Sequence, residues 1–137
     1  MFDTTAFLFG AGHFLIAFAI ACLFLGVFKW LYQVSTPYDE RRLVAEGNMA
    51  AAVTFGGAIV GFALPLAAAL EVTANPLEFV AWAVLAGVIQ VVASLVVRRI
   101  VIRDLAARIE TGNVASAVYM AATSIALGLL NAACMSY

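Results

Sequence analysis

The 137-residue chain carries little charge: Asp, Glu, Lys and Arg make up 11% of it, against about a quarter in an ordinary globular domain. So few charged residues cannot cover a water-facing surface, which excludes a soluble globular domain and a disordered segment. The seven Lys and Arg nearly balance the eight Asp and Glu, which excludes a strongly basic nucleic-acid-binding protein. The sequence also lacks a metal-ligand cluster, a catalytic triad, a phosphate-binding loop and paired catalytic carboxylates. We therefore expect neither an enzyme nor a bound cofactor.

Long apolar runs make up most of the sequence. Hydrophobic residues account for 66% of the chain, and its mean hydropathy is +1.07. Charged residues divide it into four runs of about 20 residues, the length that an α-helix needs to cross a hydrocarbon core about 30 Å thick. None of the runs alternates apolar with polar residues as a membrane β-strand does. The sequence predicts one all-α membrane domain over residues 1–137, with four transmembrane helices at about 6–28, 49–70, 77–97 and 114–135.

The basic residues all lie in or beside the connections that follow the first and third of these helices. They are Lys29, Arg41, Arg42, Arg98, Arg99, Arg103 and Arg108. Because basic loops remain in the cytoplasm, we expect both connections to face inward and both termini to face outward. The predicted orientation is therefore N-out/C-out.

The two halves of the chain match when the sequence is shifted by 65 positions. Gly47-Asn48 then falls on Gly112-Asn113. Internal repeats of this kind define the architecture of a chain. We expect two parallel helical-hairpin repeats, about 6–70 and 77–135, related by a pseudo-two-fold axis along the membrane normal.

The first basic connection carries residues that cap helices. Thr36 suits the N-cap of a short helix, with Pro37 at its first position and an acid, Asp39, at its third. Gly47 suits the C-cap of that helix, and Asn48 can cap the next transmembrane helix. The matching Gly-Asn pair of the second half repeats both caps. A polar ring at the cytoplasmic mouth of a pore would use the same two asparagines.

The second basic connection contains no helix-breaking residue. We therefore expect the third transmembrane helix to continue into the cytoplasm as an amphipathic stretch. Its apolar face consists of Ile102, Leu105, Ala106 and Ile109. We expect this stretch to rest on anionic lipid headgroups, with its arginines extending to the phosphates. A docking face for a cytoplasmic protein is the alternative.

Five motifs follow one another along the chain. They are Thr36-Pro37-Tyr38-Asp39, Gly47-Asn48-x-Ala50-Ala51-Ala52, Gly61-Phe62-Ala63-Leu64-Pro65-Leu66, Gly112-Asn113-x-Ala115 and Gly128-Leu129-Leu130-Asn131-Ala132-Ala133-Cys134. In this order and spacing they resemble the YjfL-like family of bacterial inner-membrane proteins, over essentially the whole chain. The resemblance implies a multi-pass inner-membrane protein with four helices in two repeats and no known function. Genes of the family often lie near those of ATP-grasp synthetases and phage-shock-type stress proteins, which implies a link to envelope stress.

Small residues recur at four-residue spacing in the second and fourth transmembrane helices. The positions are Gly57 and Gly61 in one, and Ser124, Gly128 and Ala132 in the other. In lipid, such residues let helix backbones approach closely. They would pack helices within one bundle or between subunits, and the number of small-residue faces slightly favours a homo-oligomer.

Four residues give the predicted membrane interior some polarity. His13 is the one ionisable side chain well inside a predicted helix, and it serves either as a hydrogen-bond partner between helices or in a proton- or ion-linked role. Gln90 and Asn131 are polar, and Pro65 frees the carbonyl of Gly61 from its helical hydrogen bond. These groups would line a vestibule that collects cations, or they would serve helix packing, which we favour.

Two functions are compatible with these patterns. The first is a non-enzymatic, oligomeric membrane subunit linked to envelope stress, whose basic connections dock a cytoplasmic protein or anionic lipid. The second is a small oligomeric channel or transporter for cations or small solutes, with the intramembrane polar residues along its path. The absence of a recognisable selectivity loop or charged relay places the channel second.

Overall fold

The computed structural model describes residues 1–135, and this part of the chain is helical. It contains helices α1 (Thr4–Ser35), α2 (Glu40–Ala45), α3 (Met49–Val72), α4 (Pro76–Val96), α5 (Leu105–Glu110) and α6 (Val114–Cys134), with a π-helical turn (Val97–Val101) directly after α4. Four segments are long and apolar enough to span a membrane: α1, α3, α4 with its π turn, and α6. The prediction of an all-α protein with four such helices is confirmed, although α1 continues to Ser35 instead of ending near residue 28.

Helices α3 and α6 form the centre of the bundle, and they run parallel to each other. Gly57 lies against Ala121, and further along both helices Gly61 lies against Ser124. Helix α4 runs antiparallel to α6, since Gln90 contacts Ser124 whereas Ala86, one turn earlier in α4, contacts Asn131 later in α6. The three helices α3, α4 and α6 therefore make one closely packed unit.

Helix α1 packs on the outside of this unit through its second half. The Phe28 ring stacks on Phe62 of α3, with centroids 4.3 Å apart, and Phe24 meets Phe79 of α4 edge-on at 5.7 Å. Most large side chains of α1 remain exposed, including Phe14 and Phe18. Since exposed apolar side chains are favourable in lipid, α1 is the helix that the bilayer surrounds most completely.

We call the end of the bundle that carries the connections 36–48 and 102–113 the basic end. Its small core includes Leu43 of α2, Leu105 and Ile109 of α5, and the starts of α3 and α6. The apolar face expected to rest on lipid headgroups is thus directed largely into the protein, because Leu105 and Ile109 are almost completely buried.

Both connections differ locally from the predicted ones. Helix α2 begins at Glu40 and is capped by Asp39, whose carboxylate accepts the Arg42 N–H, whereas Thr36 ends α1. The predicted cap at Thr36 was wrong because the Thr36 hydroxyl instead donates to the Gln33 carbonyl and closes α1.

The predicted continuation of the third transmembrane helix was also wrong. After the π turn, Ile102 adopts an extended conformation with φ −129° and ψ 93°, and α5 begins only at Leu105. This break lets α5 fold back so that its apolar face enters the core at the basic end. The burial of Leu105 and Ile109 outweighs the intrinsic helix preference of the intervening residues.

The predicted Gly-Asn caps are present in both connections. Asn48 accepts the Ala51 N–H at 3.0 Å, and Asn113 accepts the Ser116 N–H at 3.1 Å. The glycine before each asparagine, Gly47 or Gly112, has a φ of +84°, a conformation that other residues rarely adopt. Helices α2 and α5, which precede these caps, begin 65 positions apart.

Candidate functional site

The predicted polar residues Gln90 and Asn131 lie together in the contact between α4 and α6. Gln90 is 3% exposed, and its side-chain amide donates to the Ser124 carbonyl at 3.2 Å. The Asn131 amide donates to the Ala86 carbonyl at 3.3 Å. Both side chains therefore form hydrogen bonds between α4 and α6. The small Gly61 leaves space for the Gln90 amide, since a Cβ there would lie 2.9 Å from the Gln90 nitrogen.

Pro65 acts on the neighbouring contact between α3 and α6, through the backbone of α3. Because proline has no N–H, the Gly61 carbonyl lacks its usual helical partner. That carbonyl lies directly against Gly128 of α6, where a Cβ would overlap its oxygen. Such close approaches permit Cα–H···O contacts between helices. Pro65 itself is fully buried.

The predicted small-residue stripes meet each other within one chain. Gly57, Gly61, Ser124 and Gly128 all lie in the contact between α3 and α6, and Ala132 is half-buried nearby on α6. Residues in this contact are already occupied by intramolecular packing. They leave no free stripe for a second subunit along this seam.

The structure places His13 away from the other polar residues. It is exposed on the first half of α1, and its Nδ1 is 2.9 Å from the Phe9 carbonyl of its own helix. A cleft of about 210 Å³ separates it from the turn between α3 and α4, where Thr73 and Asn75 supply polar lining. Gln90, Asn131 and Pro65 therefore all lie within the α3–α4–α6 unit, whereas His13 lies apart from them.

A cluster of polar side chains instead lies at the basic end, around Arg98 of the π turn. The Arg98 guanidinium lies 4.7 Å from the centroid of the Tyr32 ring, and its Nη1 donates to the Ser35 carbonyl at 3.4 Å. Arginine over an aromatic face is a favourable cation–π arrangement. These contacts join the end of α1 to the end of the third transmembrane segment.

Glu40 and Tyr38 complete this cluster from the first connection. Glu40 is 2% exposed, and burial raises the pKa of its carboxyl, an effect that Thr36 and Arg98 partly oppose. Burial likewise raises the pKa of Tyr38, with Tyr32 adding to the effect. An acid at the start of a helix is usually solvated, so its burial here marks an unusual site.

Several atoms of this cluster are buried without a hydrogen-bond partner in residues 1–135. They are the hydroxyls of Tyr32 and Tyr38, Oε1 of Glu40, and Nε and Nη2 of Arg98. Buried polar groups normally have partners, because an unsatisfied one costs free energy. Donor groups outnumber acceptors in this set, which favours an added acceptor such as an anionic oxygen.

Sequence reasoning identified Arg98 only as one of seven basic residues and overlooked Tyr32 and Glu40. Tyr32 lies in the last turns of an apolar helix, and Glu40 follows a capping aspartate. Neither position carries a pattern that predicts burial, so no sequence signal was available.

The other basic residues form the surface around this cluster. Arg42 pairs with Glu46 at 3.9 Å and Arg108 with Asp104 at 3.1 Å, both within a single helical turn at the surface. Lys29 lies over the Phe55 ring at 5.7 Å. The remaining three, Arg41, Arg99 and Arg103, are exposed, and none of them forms an ion pair within residues 1–135.

The described side chains do not form a metal-binding cluster. Across the described part of the chain, no three His, Cys, Asp or Glu residues lie close enough to hold a metal ion. The two cysteines, Cys22 and Cys134, are free and exposed.

Comparison with known proteins shows the family. A family model described as Domain of Unknown Function (DUF350) matches residues 4–135. The chain belongs to this family. It is 31% identical over 127 residues to the UPF0719 inner membrane protein YjfL of Escherichia coli strain K12, and equally to that of Escherichia coli O157:H7. Each alignment covers 93% of this chain and 92% of the relative.

The predicted resemblance to the YjfL-like family is therefore confirmed. Together with four helices able to span a membrane, it makes the chain a multi-pass inner-membrane protein of a DUF350 family whose function is not established. No solved structure matches the chain.

Proposed function

We propose that this protein is a non-enzymatic membrane subunit whose basic end binds the anionic headgroups of the cytoplasmic leaflet. The observation that carries the proposal is the placement of every Lys and Arg at one end of the bundle. Three exposed arginines there, Arg41, Arg99 and Arg103, have no carboxylate partner within residues 1–135. Basic side chains beside membrane helices attract anionic lipids by about 1 kcal/mol each.

The position of Arg98 along the membrane normal supports the same function. Arg98 lies 22 residues after the start of α4, which corresponds to roughly 33 Å of helix. A hydrocarbon core is about 30 Å thick, so this residue reaches the headgroup region when α4 begins at the opposite surface. Trp30 is exposed near the same end of α1, as expected of an aromatic residue at a membrane interface.

The proposal includes the predicted orientation and repeat. With the basic end in the cytoplasm, both termini face outward, following the positive-inside rule. The two hairpins, about 6–70 and 77–135, are two copies of one unit, which the matching Gly-Asn caps and the 65-residue spacing of α2 and α5 support.

We further propose that the subunits form a homo-oligomer through α1. The seam between α3 and α6 is already occupied, whereas Cys22 and Gly26 form an exposed pair of small residues at four-residue spacing on α1. Native mass spectrometry measures the stoichiometry directly. A strictly monomeric protein in its own lipids would contradict this part of the proposal.

The link to envelope stress rests on the family resemblance. We expect a deletion strain to survive membrane stress less well than its parent. The wild-type chain should restore survival, whereas a chain with Arg41→Gln and Arg103→Gln should not.

Lipid retention tests the headgroup function directly. The double variant Arg41→Gln/Arg103→Gln removes one unpaired charge from each connection. The matched control, Arg42→Gln/Arg108→Gln, removes one charge from each connection that already has an acidic partner. Lipids co-purified with each protein are quantified by mass spectrometry after extraction from membranes that contain phosphatidylglycerol and phosphatidylethanolamine.

We expect the first variant to lose phosphatidylglycerol relative to phosphatidylethanolamine by at least about tenfold. The control should lose clearly less. Unchanged enrichment in both variants would refute headgroup binding. Loss of a co-purified cytoplasmic protein, with lipid enrichment intact, would instead assign this surface to protein docking.

The channel hypothesis gains no comparable support. Gln90 and Asn131 are engaged in bonds between helices, and His13 lies apart from them on α1. A path for ions through one chain would require these groups to face a common space.

A further inference from the structure

An apolar groove runs along the contact between α1 and α4 and ends at Ser35, the hydrogen-bond partner of Arg98. Its volume is about 450 Å³. Phe24 and Leu31 line it from α1, Val84 and Val91 from α4, and Phe62 of α3 lies at its base. Its lining is overwhelmingly apolar, so a hydrocarbon chain is the ligand that it accommodates without leaving polar groups unsatisfied.

The groove reaches the basic end at Ser35. Ser35 is one of its lining residues, and the Ser35 carbonyl accepts the hydrogen bond from Nη1 of Arg98. Lining residues of α4 extend from Ala83 to Val92, a length of roughly 13 Å along the helix. A ligand in the groove therefore has an apolar part at membrane depth and a terminus close to a guanidinium.

Arg98 has donor capacity that the protein does not use. Its Nε and Nη2 have no acceptor, and no carboxylate lies within ion-pair distance of it among residues 1–135. The side chain is long and flexible, and it belongs to a π-helical turn, a local feature that occurs often at functional sites. A guanidinium with two unsatisfied nitrogens matches a phosphate group, which would accept from both nitrogens once the flexible side chain turns from the Tyr32 ring toward the groove.

We propose that the groove between α1 and α4 holds an acyl chain of one anionic phospholipid, whose phosphate binds Arg98. The site takes a single lipid of the cytoplasmic leaflet. It rests on the proposed function and deepens it, because it adds a defined binding site to the general attraction of the basic end. The chemical match of apolar groove and terminal cation identifies this occupant.

The neighbouring arginines provide a matched test of the headgroup contact. Arg98→Gln removes the guanidinium at the end of the groove, whereas Arg99→Gln removes an equal charge from an exposed position one residue away. Each protein is placed in nanodiscs with equal amounts of phosphatidylglycerol and phosphatidylethanolamine of identical acyl chains. Native mass spectrometry then measures the lipid that remains bound after progressive activation.

We expect the wild-type protein to retain one phosphatidylglycerol molecule. Arg98→Gln should lower that occupancy about fivefold, the effect of losing one headgroup contact, and Arg99→Gln should leave it nearly unchanged. Arg98→Lys keeps the charge without the planar fork, so we expect an intermediate occupancy. The lysine variant also provides a measurement if the glutamine variant does not fold.

A second pair of variants tests the acyl-chain contact. Val84 and Val118 are both 52% exposed, but only Val84 lines the groove. Val84→Trp should displace the retained lipid, and Val118→Trp should not.

The outcomes separate this site from the proposed function. Equal losses for Arg98→Gln and Arg99→Gln would refute the site and leave general attraction of anionic lipid intact. Full retention in Val84→Trp would refute the acyl-chain contact. No preference for phosphatidylglycerol in the wild-type protein would refute both the site and the proposed function.

Discussion

At the scale of single residues, two adjacent glycines of α3 differ in what a methyl group would meet. A Cβ on Gly57 would overlap Ala121 of α6, whereas a Cβ on Gly56 would meet no atom within 4 Å. The two residues are adjacent in sequence and lie in the same helix. They differ in the face of α3 on which they lie, since only Gly57 faces α6.

We expect Gly57→Ala to lower the free energy of unfolding by roughly 1–3 kcal/mol, because the added carbon forces α3 and α6 apart. Gly56→Ala should leave stability unchanged or raise it by up to about 1 kcal/mol, since alanine favours the helix. Unfolding in one detergent, followed by circular dichroism, measures both variants. Equal effects would contradict the close contact between α3 and α6.

The buried carboxyl of Glu40 predicts a dependence of stability on pH. Burial raises its pKa above the ordinary value of 4.5, so the folded protein holds a proton that the unfolded chain has already released. The corresponding stability is complete below pH 4.5 and is lost as pH rises from there through the folded-state pKa.

Glu40→Gln should therefore flatten the change in melting temperature with pH and should raise the melting temperature in the neutral range. The matched control is Glu46→Gln at the C-cap of the same short helix, where the glutamate side chain is 62% exposed and pairs only at the surface. That control should keep the wild-type profile. Parallel profiles for wild type and Glu40→Gln would show that the carboxyl is solvated.

At the scale of helices, the two Gly-Asn caps have the same local geometry and different neighbours. The Asn48 amide also donates to the Ile109 carbonyl at 2.8 Å and the Glu110 carbonyl at 3.3 Å, which joins α3 to the end of α5. Within the described residues 1–135, the Asn113 side chain caps its own helix and makes no bond to the other connection. Asn48 therefore links the two basic connections to each other through hydrogen bonds.

We expect Asn113→Ala to cost about 1 kcal/mol of stability, the usual cost of losing an N-cap. Asn48→Ala should cost about 1 kcal/mol more, because the hydrogen bonds between the connections are lost as well. Unfolding of the two single variants under identical conditions gives the difference. A difference of zero would mean that the bonds from Asn48 to α5 contribute no stability.

These caps also show how far sequence reasoning reached at this scale. The Gly-Asn pairs predicted two helix starts, and both were correct, because a capping side chain acts on backbone groups three residues away. Thr36 and Asp39 were both capping residues in sequence, and the choice between them depended on where α1 ends. No residue near Ile102 in the sequence predicted the helix break there, since the break results from the burial of α5 in the core at the basic end.

At the scale of the whole molecule, the orientation across the membrane is the principal prediction. In a chain with Cys22→Ala and Cys134→Ala, a single cysteine is introduced as Asn75→Cys or Thr111→Cys, at opposite ends of the bundle. A membrane-impermeant thiol reagent applied to intact spheroplasts should label only the first. Thr111→Cys should react only after the membrane is opened, and the reverse pattern would refute the N-out/C-out orientation.

By itself, the sequence determined the membrane class, the four long helices and the family. Those conclusions depend on the length of apolar runs, on the positions of charge and on capping residues, all of which act locally. It did not determine which helix faces meet. In lipid every face of these helices is apolar, so hydrophobic periodicity cannot identify the inner face, as it does in a soluble bundle.

Only the tertiary structure decided that Gly57 and Gly61 pack against α6 of the same chain, and that α1 lies on the outside. It also brought Glu40 and Arg98, 58 positions apart, into one buried cluster. Close fit between backbones selects such contacts, and that fit depends on residues that are distant in sequence.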